Sequence, residues 1–409
     1  MTVVSPTTFE PRLLVAGDPG LASHVQTYGP LPERTNDDLW SELQASGLTG
    51  RGGGGFPTWR KWESVRKAKG RAVVVVNVME GEPMSGKDRV LVTFSPHLVL
   101  DGAELAARVL GASSIRICVA EDQNGPFEAL ERALGERPRT MATLERLPAR
   151  YITGEESSLV HWLEDGDARP MFRMDKSTPL RIGRQSVLVQ NAETMAQVAL
   201  VARYGANWFR SLGTAESPGT SLFTIAGAVR TPGVIEAPMG TPIRSLLELA
   251  GGTTGVEGML IGGYGGGWLG REHLDVPYAP ASLRGVGVSH GVGMVVALGP
   301  DSCGIAEMAR VARYMAGQGA GQCGPCVFGL PALADDLDQL WSGRVGNAWS
   351  RRMVRHLEQV ERRGACGHPD GVVRMIRTGL DVFSADVARH GAGRPCAAHR
   401  SPSVMRTPR

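Results

Sequence analysis

Several things are scarce in this chain, and each scarcity excludes a class of protein. No apolar run approaches the roughly 20 residues needed to span a bilayer, so no membrane insertion is expected. The opening MTVVSPTTFEPRLL lacks a basic stretch followed by an apolar one, so no signal peptide is expected and the cytoplasm is the default. Charge of one sign is nearly absent in excess: the net balance is +3, which implies no strong field for nucleic acid or a lipid surface. Six cysteines in 409 residues are too few for a disulfide scaffold and read as thiols or metal ligands. A G-x-x-x-x-G-K-[ST] loop is missing, as is a G-x-G-x-x-G turn directly after a strand, which disfavours a Walker ATPase or an ordinary two-glycine Rossmann protein.

What is present is ordinary globular material, 42% hydrophobic and 21% charged, with length for two or three domains. The first 200 residues alternate short apolar strands, such as AVVVVNV (72–78) and SIRICVA (114–120), with helical patterns. That alternation predicts an α/β layer with parallel strands. From 221 the pattern becomes β around one helix, PIRSLLELA, suggesting a β-grasp-like module. Beyond Gly304 four helical patterns predict a bundle, and the tail after Gly391, with its Pro, Ser and Arg, reads as disordered.

Five segments carry chemistry. GLTGRGGGGFPTWRKW (47–62) places four consecutive glycines between Arg51 and Phe56-Pro57. Such a run is either a flexible surface loop or a concave anion site of exposed N–H groups, and Lys61 close behind favours a phosphate cradle. NVMEGEP (77–83) follows the buried strand, where open α/β sheets place ligands; its two glutamates suit ribose hydroxyls or merely a solvated turn. YITGEESSL (151–159) reads as a helix start with acids favoured by the dipole, and QNAET (190–194) offers amides that cap a helix or bond a ring edge. Cys323 and Cys326 form a C-x-x-C before a helix, with Cys366 at the end of another helix. Three thiolates converging in a helical domain suit an iron–sulfur cluster or zinc. Cys118, in a strand, reads as core.

Taken together, these segments closely resemble the flavin- and NADH-binding 51 kDa subunit of respiratory complex I and its relatives in NAD-linked hydrogenases and formate dehydrogenases. The family's G-R-G-G-A-G-F-P-T-x-x-K-W stands here as GRGGGGFPTWRKW, its N-x-D-E-x-E-P…K-D-R as NVMEGEP…KDR, and Y-x-x-G-E-E is intact. K-P-P-F becomes Arg169-Pro170-Met171-Phe172, and N-N-V-E-T becomes QNAET. The resemblance implies a Rossmann-like FMN/NADH domain (1–215), a ubiquitin-like β-grasp of the SLBB type (216–300), a four-helix bundle with an iron–sulfur site (301–392) and a tail (393–409). It implies that Gly50, Arg51, Gly52, Gly53, Gly55 and Lys61 line the phosphate part of the FMN and NADH site. Asn77, Glu80, Tyr151, Gly154, Glu155 and Asn191 would hold FMN. Glu82 would bind the nucleotide ribose, Phe56 and Phe172 would stack on adenine, and Glu156 would lie beside the nicotinamide as the catalytic candidate. The implied activity is hydride transfer from NAD(P)H to FMN, then single electrons through a cluster held by Cys323, Cys326 and Cys366 to a ferredoxin-like partner or a membrane reductase.

Departures from the family pattern open alternatives. Its E-S-C-G-x-C-x-P-C-R stands here as QGAGQCGPCV, with Ala320 where the first cysteine belongs. The cluster is then [3Fe–4S], or [4Fe–4S] with a nonstandard ligand among His368, Cys303 and Cys396. Met79 replaces an aspartate, Gln190 an asparagine, and Ser64 stands where an aromatic often supports adenine. These changes motivate three rivals: a ferredoxin-linked or bifurcating relative, a non-catalytic scaffold, and a zinc site made of the three cysteines.

Overall fold

The chain opens with a short strand, β1 (Thr2–Val4), and three helices, α1 (Leu21–Tyr28), α2 (Asn36–Ser46) and α3 (Thr58–Lys67), ahead of its first long apolar run. In this computed structural model, residues 2–4, 9–68, 70–137, 139–173, 178–253 and 255–408 are described. The apolar run becomes β2 (Ala72–Val78), buried on both faces as its β-branched composition requires. After it come α4 (Lys87–Phe94) and α5 (Pro96–Leu110), β3 (Ala112–Ala120), α6 (Asn124–Gly135), β4 (Ala142–Leu147), α7 (Glu156–Asp165), β5 (Leu180–Ile182), β6 (Gln185–Asn191) and α8 (Ala192–Arg210). The five-stranded sheet has the order β4-β3-β2-β6-β5, parallel except for the edge strand β5. Val74, Val76 and Val78 join one apolar cluster and Val73 and Val75 another, so helices cover both faces of the sheet.

A second sheet combines β7 (Thr220–Gly227), β8 (Gly233–Pro238), β9 (Gly258–Ile261), β10 (Gly267–Leu269) and β11 (Met294–Leu298). Its order is β1-β8-β7-β11-β9-β10, with β7 and β11 parallel at the centre and α9 (Ile243–Leu249) packing Ile243, Leu246 and Leu247 into its core. A short helix, α10 (Pro280–Gly285), precedes β11. Strand β1 therefore pairs with β8 of this module, although its sequence position assigned it to the first domain.

Five helices follow: α11 (Gly304–Gly317), α12 (Leu330–Trp341), α13 (Trp349–Val360), α14 (His368–Val382) and α15 (Ser384–Gly391). The fourth helical pattern in the sequence is thus two helices, broken at Phe383. Met308, Leu333, Leu337 and Ile376 are fully buried between them, each removal of apolar surface contributing roughly 1.5–3 kcal/mol. The segment expected to be a disordered tail instead packs along this bundle. The buried Glu307 carboxylate accepts hydrogen bonds from the Val404 and Met405 N–H groups and the Ser403 hydroxyl, and Met405 is 2% exposed. A buried carboxylate requires such donors, and the tail supplies them. Among the described residues no single helix is long and apolar enough to cross a membrane.

Candidate functional site

Strand order fixes where a ligand belongs. The chain runs from β2 outward to β3 and β4, then returns to the other side of β2 with β6, so the topological switch lies at the carboxyl ends of β2 and β6. Asn77 and Asn191 are partners in register there. The Asn77 amide donates to the Gly154 carbonyl at 2.9 Å, and its oxygen accepts from the Met79 N–H. Asn191 caps α8 by accepting from the Glu193 N–H, and it also bonds the Asp88 carboxylate and the Lys87 ammonium. Lys87 is buried between Asp88 at 2.7 Å and Glu193 at 3.1 Å. Burial opposes its charge, but the two carboxylates outweigh that and raise its pKa.

Glu80 sits at φ 37°, a left-handed conformation costly for a non-glycine residue. That geometry turns its carboxylate onto the start of α4, where it accepts from the Asp88 and Arg89 N–H groups and the Ser85 hydroxyl. Burial, then the nearby Asp88, raises its pKa. Met79, in place of the family's aspartate, is 1% exposed and belongs to the apolar cluster of Val73, Val75 and Leu159.

The glycine loop is clamped between the two modules. Gly53, at φ 104°, bridges Gly291, and a Cβ at Gly55 would come within 2.8 Å of the His290 ring. Only glycine permits both contacts. His290 is driven down to about 4 by burial and by Arg51 and Arg284, and so is neutral at physiological pH. Arg51 gives its guanidinium to the Thr49 hydroxyl and the Pro218 carbonyl, offering the loop backbone rather than charge. Lys61 supplies that charge, paired with Glu156 at 2.9 Å and only partly buried.

Some of the implied residues line two separate clefts, with Tyr151 of the Tyr151–Gly154 turn on the wall of the second. One, of about 610 Å³, is lined by Phe56, Lys61, Glu155, Glu156 and Cys366. Its rim has Phe56 at 54% exposure, and Phe172 is 71% exposed. Glu155 caps α7 through the Ser157 and Ser158 N–H groups, so one of its oxygens serves the helix. The other cleft, of about 630 Å³, is lined by Glu80, Glu82, Arg89, Tyr151 and Pro408. Both volumes suit a cofactor-sized ligand. Glu82 accepts from the Tyr264 N–H and the Tyr151 hydroxyl through one oxygen, while the other is buried without a partner. Burial pushes its pKa up to about 8, against those two hydrogen bonds. An orphaned buried oxygen, a glycine arc in which a Cβ at Gly52 or Gly55 would meet Asn191 or His290 at 3.0 or 2.8 Å, and a cation-bearing cleft together fit a flavin nucleotide and a second nucleotide.

Cys323, Cys326 and Cys366 lie within electrostatic reach of one another. Burial, then Cys323, pushes the Cys326 thiol up to about 11; burial raises Cys366, whose sulfur accepts the His368 N–H. Three adjacent soft donors fit an iron–sulfur cluster, with Ala320 leaving one ligand to another source. His368 bonds the Met315 carbonyl through Nε2 at 2.9 Å, and its buried Nδ1 has no partner. Cys303 does not fill the gap. It caps the amino end of α11, whose 14 residues carry the chain about 21 Å before the C-x-x-C segment begins. Cys396 lies with Cys303 and His390 rather than with the cluster cysteines. His390 had no signal in the sequence, since no motif surrounds it. Cys118 is fully buried, as expected of a core residue.

Three family models match the chain in order: the Nuo51 FMN-binding domain over residues 43–200, the SLBB domain over 222–257, and the NADH-ubiquinone oxidoreductase-F iron-sulfur binding region over 306–390. Among curated proteins, the F 2 subunit of the NADH-quinone oxidoreductase of Rhizobium meliloti is 28% identical over 388 residues, covering 90% of this chain and 92% of its own. The HndC subunit of the NADP-reducing hydrogenase of Solidesulfovibrio fructosivorans is 26% identical, covering 97% and 83%. Among solved structures, an NAD+-reducing [NiFe]-hydrogenase in the H2-reduced state superposes with a TM-score of 0.79 at 27% identity. That match takes in 89% of this chain, which spans 63% of the hydrogenase chain's length.

Proposed function

We propose, from the premise that this chain belongs to the family of 51 kDa NADH- and FMN-binding subunits, that it moves electrons from a reduced nicotinamide nucleotide through FMN to an iron–sulfur cluster and on to a redox partner. When bound, FMN supplies acceptance of two electrons and release of one at a time, and the cluster supplies one-electron carriage. The observation that carries this reading is Cys366, a cluster thiol lining the same cleft as Phe56, Lys61 and Glu156.

Each residue there has work to do. Lys61 binds a nucleotide phosphate and trades its Glu156 partner for it. Glu156, at the open end of that pair, orients the nicotinamide amide. Phe56 and Phe172, both exposed, offer rings for stacking on the adenine. The glycine arc presents N–H groups to the flavin phosphate, and the neutral His290 behind Gly55 adds no competing charge. Asn77 and Asn191 hold the crevice floor rigid through their backbone and Lys87 bonds.

The redox partner is a protein with an apolar docking face. Val327 and Phe328 directly follow Cys326 and are 46% and 76% exposed, an unpolar edge beside the cluster. None of the six cysteines is in a disulfide, in keeping with a cytoplasmic setting, at the periphery of a larger assembly. Anaerobic titration with NADH, followed by visible absorption and EPR, tests the proposal: flavin bleaching with a new iron–sulfur signal is expected. Bound flavin that dithionite reduces but NADH and NADPH do not would overturn it.

A further inference from the structure

At the end of the bundle away from the cluster, three soft ligands from distant parts of the chain meet in the interior. Cys303 begins α11, His390 lies in the last turn of α15, and Cys396 follows in the C-terminal strap. They are 2%, 0% and 7% exposed. Their ligand atoms all lie within 4.8 Å of one another. The sulfur of Cys303 and Nε2 of His390 are 3.7 Å apart. Two ligands of a tetrahedral ion with bonds of about 2.3 Å to sulfur and 2.0–2.1 Å to nitrogen are separated by about 3.6 Å. His390 is also in the ligating tautomer. Its Nδ1 is 3.1 Å from the Trp341 carbonyl, which can only accept, so Nδ1 carries the proton. Nε2 accepts the Cys396 N–H at 3.2 Å, which puts its lone pair on the cysteine side, and a bound zinc ion would take that lone pair in place of the N–H. A carbonyl holding the far nitrogen is the usual support of a metal-bound imidazole.

We propose that Cys303, His390 and Cys396 form a zinc site that staples the C-terminal strap to the helical bundle. Two thiolates and an imidazole in a buried place suit Zn2+, which has no redox chemistry of its own to disturb a nearby electron path. Binding releases the two thiol protons, and water completes the tetrahedron. The staple matters because the strap continues into the functional region. The Arg406 N–H meets the Met84 sulfur, the Tyr264 hydroxyl donates to the Arg406 carbonyl, and Pro408 lines the cleft that holds Glu80 and Glu82. Zinc thus fixes a wall of that cleft from the far end of the bundle.

The test is metal content of the full chain purified without chelator, with iron and flavin measured in parallel. One zinc per chain is expected in the wild type. Cys396→Ser and His390→Ala should each lower zinc to below roughly a tenth of that while flavin and iron stay constant. Trypsin should then cut at the exposed Arg400 at least roughly tenfold faster than in the wild type. Wild-type protein that holds no zinc, even after one equivalent of ZnCl2, would overturn the proposal, as would a Cys303–Cys396 disulfide found in its place. Zinc retained in both variants would overturn it equally. Because the proposed electron path is read from iron and flavin, its failure leaves a different signature.

Discussion

One helix, α11, separates two groups of cysteines that differ in almost every respect. Beyond its carboxyl end, Cys323, Cys326 and Cys366 are half-buried to buried, and Cys366 opens onto the cleft with Lys61 and Glu156. At its amino end, Cys303, His390 and Cys396 are sealed in the interior and line none of that cleft. The difference fits the two roles proposed for them. A redox centre must stay within reach of its donor and its acceptor, whereas a structural ion is served by enclosure away from bulk solvent. The first group has Ala320 where the resembled motif places a further cysteine, and Cys366 lies beside the cleft. The second has no motif, and only the fold assembles it.

The comparison is broken most decisively by cysteine substitution. Cys326→Ser should remove all of the cluster iron, read by visible absorption and iron analysis, while Cys303→Ser leaves iron unchanged. Equal iron loss in the two variants would merge the groups into one. Ala320→Cys is expected to complete a four-thiolate set and slow air loss of the cluster by roughly tenfold. No change in that rate would mean another residue already fills the fourth place, His368 Nδ1 being the buried unpaired candidate.

The cleft that the strap walls sharpens the contrast through pH. Glu82 titrates at about 8 in the folded chain against 4.5 ordinarily. Between those values the folded chain holds a proton that the unfolded chain has released. Stability therefore falls as pH rises through that window and levels off above it. The span is on the order of 3–5 kcal/mol at most. Denaturant melts at pH 5 and pH 8 should show it, and Glu82→Gln should flatten it. An unchanged slope in the variant would assign the titration elsewhere. Releasing the strap with Cys396→Ser should admit water and shrink the same slope.

In the cleft that Cys366 lines, Lys61→Ala should raise the KM for NADH roughly tenfold to hundredfold, the loss of one charged hydrogen bond. Flavin content should hold; its loss would move Lys61 to the flavin phosphate. The smallest effect is expected from Phe56→Ala, about 1 kcal/mol or a fivefold weaker nucleotide. A null result there with an effect in Phe172→Ala would assign the stacking to one ring alone.

Much of this was legible in order along the chain. The glycine arc, the strand before Asn77, the helix start at Glu155 and the C-x-x-C segment are local patterns, and local patterns follow from backbone preference and periodicity. The strap was misread because Pro, Ser and Arg are the composition of a loose end, and nothing nearby in sequence announces that Glu307, 98 residues before Met405, needs its N–H groups. β1 was misplaced for the same reason, its partner β8 being far along the chain. Glu80, expected to help hold FMN, accepts N–H groups at the start of α4 while lining the second cleft, an arrangement visible only once the turn is folded.

By itself, then, the sequence determined the α/β layer, the β-grasp and the bundle, together with the short-range motifs that a flavin, a nucleotide and a cluster require. The tertiary structure decided which of the site residues line which cleft, where the strap lies, and that Cys303 meets His390 across 87 residues of chain. The physical reason is distance. Hydrogen-bond preference and apolar periodicity act over a few residues, whereas burial of a polar group or a thiol is settled by whatever the closed core brings beside it.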